Sequence, residues 1–255
     1  MRRDELAGAP TVRTEPLHLE EQPLPLVTLT LILVNVLVFA CQLAAGESSD
    51  YGVRTWGLTR SRLLDFPASG PQPVLTLLTS MFLHVGFGHL FGNMLYLWIF
   101  GRPVEKAMGP GRFLAFYLLA GFSADAIQLL SSSGPNLPSV GASGAVSGVL
   151  GGFLLLYPFL LMPSFVPVLV LMPVFPVILL FWLIAWVLRA HRILRVPAIF
   201  YLLLWFCVQV LASSIAQSSQ IGFLAHVAGF AAGVLLVIPF TGRNYRRAVR
   251  MPEED

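Results

Sequence analysis

The sequence predicts an all-α fold, a polytopic membrane bundle of six transmembrane helices. Three observations predict it. Of the 255 residues, 56% are hydrophobic and 11% charged, where a soluble domain is about a quarter charged. Mean hydropathy is +0.76. The apolar residues also gather into segments near the roughly 20 residues that a helix needs to cross a bilayer, with Gly, Pro, Ser and charge collected in the joints between them.

The expected spans are residues 26–45, 75–100, 113–130, 143–161, 196–215 and 221–240. The first follows 22 charged, proline-containing residues that lack the apolar core of a secretory signal peptide and read as a mobile tail. The second contains "HVGFGHLFGNML", residues 84–95, and is separated from the third by Arg102, Lys106 and Arg112. The fourth starts within "PSVGASGAVSGVL", residues 138–150, and meets Pro158. A seventh apolar stretch, residues 165–188, carries Pro167, Pro173 and Pro176 and runs into Arg189, His191, Arg192 and Arg195. The last span holds "LAHVAGFAAG", residues 224–233, and precedes Arg243, Arg246, Arg247 and Arg250.

Positive residues gather on the cytoplasmic side of membrane proteins. Six spans put Arg2 and Arg3, the Arg102–Arg112 cluster, the Arg189–Arg195 cluster and the C-terminal arginines all on that side. A full seventh span would move the last two clusters outside. Residues 165–188 are therefore expected to be re-entrant or interfacial, broken by their prolines. Arg54, Arg60 and Arg62 run against the rule in the first outer loop, with Asp50 and Asp65 nearby. The net charge of +3 is too small and scattered to suggest a nucleic-acid partner. Cys41 and Cys207 lie in separate apolar runs and read as buried packing thiols, not a disulfide.

Candidate chemistry centres on Ser143. A helix from there to Pro158 spans roughly 22 Å, short of the hydrocarbon core. Anchored at the cytoplasmic interface, it leaves the serine below the outer surface. The loop 131–142 must then dip to membrane depth, which irregular backbone tolerates only when buried in protein or lining water. Gly144, Gly148 and Gly152 are spaced four apart, as are Ser143, Ser147 and Gly151, and such spacing also serves plain helix packing. His226 is the ionisable residue of the last span, and intramembrane ionisable groups are functional candidates by default. Gly229 and Gly233 give its helix a smooth face suited to the glycines after Ser143. His89 and Asn93, four apart, share a helix face and carry donors suited to an oxyanion; an ordinary interhelical polar contact is the alternative. His84 reads as an interfacial residue at the helix start.

Together these pieces resemble the rhomboid family of intramembrane serine proteases. The resemblance rests on Gly141-Ala142-Ser143-Gly144, on His89 with Asn93, and on Ala225-His226 followed by Gly229 and Gly233. It extends through "VEKAMGPGRFLAFYL", with Glu105, Gly109 and Arg112, and covers about residues 26–240. The family implies Ser143 as nucleophile, His226 as general base without a third carboxylate, and an oxyanion hole from the Ser143 backbone N–H with His89 and Asn93. No cofactor or metal is implied. The expected domain is 23–242, between cytoplasmic tails 1–22 and 243–255. Its expected partners are transmembrane protein substrates and the lipid bilayer, with no nucleic acid. Its expected location is a bacterial plasma membrane, with multiple passes. Two features depart from the family pattern. Ser147 stands where some members carry a tyrosine that stacks on the catalytic histidine, and residues 165–188 exceed the usual connection between the fourth and fifth helices. A non-catalytic rhomboid-like client-binding protein is the alternative reading. A small transporter would predict repeats, and none is evident.

Overall fold

The computed structural model describes residues 24–45, 50–64, 72–131, 138–163, 195–215 and 222–242. Among them the architecture is helical. Helix α1 is Leu26–Ala44. The short helices α2, Asp50–Trp56, and α3, Arg60–Leu64, follow it. The tails, residues 165–188 and the basic cluster from Arg189 to Arg192 lie outside the described residues.

The start of α1 is satisfied from elsewhere in the chain. The first N–H groups of a helix have no partner within it. Here Val27 N–H and Thr28 N–H donate to the two Glu105 carboxylate oxygens at 2.9 and 2.8 Å, and Thr28 Oγ1 adds a bond of 2.7 Å. A carboxylate suits the positive end of the helix dipole. Glu105 is thus a tie between helices.

The expected second span is not one helix. It consists of α4, Gln72–Thr79, a 3₁₀ turn at Ser80–Phe82, then α5, Phe87–Tyr96, a wide π turn at Leu97–Gly101, and α6, Arg102–Met108. The two halves, 74–82 and 87–108, meet at 88°. The break is stabilised by α1. His84 N–H donates to Gln42 Oε1 at 3.1 Å, and Gln42 Nε2 donates back to the His84 carbonyl at 3.2 Å. One amide side chain thus replaces the helical bonds lost at the bend, as irregular backbone inside a bilayer requires.

Gly109, at φ +82, ends α6 by donating its N–H to the Glu105 carbonyl at 2.7 Å. Helix α7, Pro110–Ser131, then begins with proline, whose missing N–H costs nothing at that position. Helix α8 is Ser143–Leu156, 14 residues or about 21 Å. The helix is as short as the sequence implied, stopping before Pro158. Strand β1, Leu161–Pro163, pairs antiparallel with β2, Arg195–Pro197. The chain therefore leaves and rejoins the described structure at one place, on either side of residues 164–194. Helices α9, Ala198–Ile215, and α10, Phe223–Thr241, complete the bundle.

By length and composition α1, α7 and α10 can each cross a membrane, and the bent pair makes a fourth; α8 and α9 are shorter apolar helices. Helix α8 is the central post, with every residue from Ala145 to Phe153 buried. A Cβ on Gly144, Gly148 or Gly152 would run into Ala124, Ala120 or Phe116 of α7. One on Gly229 or Gly233 of α10 would overlap the carbonyl oxygen of Gly144 or Gly148. Apolar area gives helices little reason to associate in lipid, so this close backbone approach is what holds them. Cys41 and Cys207 are free and exposed, correcting the expectation that they are buried. An apolar run in a membrane helix has two apolar faces, one towards lipid.

Candidate functional site

Ser143 opens α8, and the turn before it depends on Gly141. That residue has φ +117, a conformation strained for any side chain. Its N–H donates to the Ser80 carbonyl at 2.8 Å. A Cβ there would lie 2.6 Å from His89 Cε1, 2.8 Å from His89 Nε2 and 3.7 Å from Ser143 Oγ. The imidazole and the hydroxyl converge on one point, and glycine alone leaves that point empty.

The approach to Ser143 is held on two further sides. Ser139 exchanges backbone hydrogen bonds with Leu58, at 2.7 and 3.0 Å. The Ser139 hydroxyl donates to Asp125 Oδ1 at 3.3 Å, and Ser80 Oγ reaches Asp125 Oδ2 at 3.5 Å. Asp125 is a buried carboxylate on α7. It links the bend of the broken span to the loop that carries the serine.

His84, expected to be interfacial, is fully buried within the protein. Its Nδ1 lies 3.2 Å from the Phe82 carbonyl, which can only accept, so this nitrogen carries the proton. Nε2 is then an acceptor, and Asn93 Nδ2 donates to it at 3.2 Å. Asn93 is thereby oriented, with its second N–H uncommitted by this bond. His89 stacks edge-on against His84 at 5.0 Å between ring centroids, and among the described residues its buried Nδ1 has no hydrogen-bond partner. His84, His89 and Asn93 form one polar group facing the start of α8.

His226 stands in the first turns of α10. Gln128 of α7 accepts the Ala225 N–H at 3.2 Å, which fixes where that helix begins. Gly144 faces Gly229 and Gly148 faces Gly233, so α8 and α10 run parallel. Ser143 and His226 therefore sit at the same end of the pair. No hydrogen bond joins them among the described residues. The His226 Nδ1 instead meets Gln209 Oε1 of α9 at 2.8 Å. Ser147 turns its hydroxyl back to the Ser143 carbonyl at 2.6 Å and offers the imidazole no support.

A sequence model of the Rhomboid domain matches residues 71–191. Over that stretch the chain is similar to the rhomboid family. The match takes in His89, Asn93 and Ser143, while His226 lies beyond its end. Among relatives, the "Rhomboid protease GluP" of Bacillus subtilis is 46% identical over 78 residues, 31% of this chain and 15% of that protein. The "Rhomboid protein 1, mitochondrial" of Saccharomyces cerevisiae is 41% identical over 91 residues, 33% of this chain and 25% of the other. The "Rhomboid protease GlpG" of Pectobacterium atrosepticum is 33% identical over 94 residues, 36% of this chain and 30% of the other. Each match spans less than a third of the relative's own length.

Asp125, Gln209, Gln128 and Gln42 belong to no motif, and only the packing brings them to these positions. A usable signal was present. Each is a polar side chain inside an apolar run, where lipid offers it no hydrogen bonds and the protein must.

Proposed function

We propose that this membrane protein is a member of the rhomboid family and an intramembrane serine endopeptidase that cleaves single-span membrane proteins near the outer membrane surface. Ser143 is the nucleophile and His226 its general base. A serine hydroxyl needs such a base to attack at neutral pH. As Ser143 Oγ adds to the scissile carbonyl carbon, His226 takes its proton and then returns it to the departing amine. The carbonyl oxygen becomes an oxyanion, met by the Ser143 backbone N–H, His89 and Asn93. Preorganised donors in such a water-poor site contribute strongly to rate. A water entering from the outer face then hydrolyses the acyl-enzyme, with His226 again as base.

The observation that carries this reading is the parallel glycine contact of α8 and α10, which supports a working pair at one end of the bundle, beside the His89 ring at Gly141. The protease names of two relatives support the same class. In this reading residues 23–242 form the protease domain, with six crossings, both termini cytoplasmic and a bacterial plasma membrane as its home. Labelling in detergent with a serine-reactive fluorophosphonate tests it. The wild type should be labelled and should cleave a transmembrane substrate, and Ser143→Ala should do neither. Equal labelling of the two would refute the assignment, and a wild type that binds membrane clients without labelling or cleavage would favour the non-catalytic alternative.

A further inference from the structure

We infer that Gln209 on α9 is a positioning residue for the general base, the third member of a Ser143–His226–Gln209 relay; this rests on the protease reading. The last span offers no carboxylate to orient His226, and Ser147 cannot stack on it. Helix α9 supplies both missing functions. Gln209 is 2% exposed, and its Oε1 lies 2.8 Å from His226 Nδ1. A carbonyl oxygen only accepts, so Nδ1 carries the proton and Nε2 keeps its lone pair. That is the tautomer able to take a proton from Ser143, and a third group that fixes it is the role of the acid in serine-protease triads.

The imidazole is also boxed by rings. Trp205, one turn before Gln209 and on the same face of α9, has its ring centroid 6.2 Å from that of His226, at 33°. Phe223 meets the imidazole edge-on at 6.3 Å. Trp205 packs in turn on Phe230 at 5.9 Å, so the box is tied to the core of α10. Orientation of His226 therefore comes from α9, where the family pattern would take it from α8.

The test uses Gln209→Met, which keeps shape and apolar packing but removes the acceptor. Partners that orient metal-bound histidines typically contribute about 10–100-fold, and a loss of that order is expected here. The fall is expected in kcat with KM unchanged, because the substrate does not touch Gln209. Alongside it, ¹⁵N NMR of histidine-labelled protein in nanodiscs reads the His226 tautomer directly. The wild type should show the Nδ1–H form, and Gln209→Met should show a mixture. Turnover of Gln209→Met within twofold of wild type, or a wild-type His226 whose Nδ1 carries no proton, overturns the inference. The NMR result does not depend on catalysis. If the wild type neither cleaves nor labels, the protease reading fails while the tautomer lock is still decided.

Discussion

Gly229→Ala should disable the protein without touching a reacting group. The added Cβ would sit 3.0 Å from the Gly144 carbonyl carbon and 3.3 Å from its Cα, with the carbonyl oxygen closer still. Carbon atoms rest about 3.5–4.0 Å apart. All three obstacles are backbone, so no side chain can swing aside. The oxygen is the limiting contact, so the helices must part by roughly 1 Å or more, in a core where overpacking costs about 1–3 kcal/mol. That gap opens one residue from Ser143 and one turn from His226. A misplacement of about 1 Å can cost about 100-fold in rate. The assay is turnover of a fluorogenic transmembrane peptide in detergent, read together with the fluorophosphonate labelling rate. Both should fall by roughly that factor. Gly111→Ala is the control, since a Cβ there meets nothing within 4 Å; it should behave as wild type. Gly229→Ala activity within threefold of wild type would refute the idea that backbone contact between α8 and α10 sets the site's geometry.

Three further outcomes are expected. Ser143→Ala and His226→Ala should each abolish cleavage in protein that still inserts, and the double variant should be little worse than either, because groups that act as a unit are non-additive; substantial activity in either single variant would dismiss the pair. Asn93→Ala should lower kcat by about 10²–10³-fold with little change in KM, and a loss confined to KM would make Asn93 a binding or packing residue. In a background lacking Cys41 and Cys207, single cysteines at Ser164 and His191 should both resist an impermeant thiol reagent in intact cells and react after permeabilisation. The pairing of Leu161–Pro163 with Arg195–Pro197 brings the two ends of this segment together. Opposite accessibility would mean a seventh crossing.

The sequence by itself determined the membrane class, the helical fold and the residues that carry the resemblance. Composition and segment length suffice there, because a bilayer admits few backbone solutions. It also determined that α8 is short, since Pro158 stops the helix whatever surrounds it. Tertiary structure decided the rest. "HVGFGHLFGNML" does not announce that its chain bends by 88°, because the bonds that permit the bend come from Gln42, 42 residues away. Burial was equally illegible: Leu211 and Leu235 are 62% and 75% exposed while Gly148 is buried, since hydropathy cannot separate a lipid-facing side from a packed one. Ser143 and His226 were legible as types, through a serine between glycines and an ionisable group in a span. Their support was not. Gln209, Asp125 and His84 act through partners 17, 14 and 9 residues distant, and only the packing of helices tells which polar side chain in an apolar run meets which other.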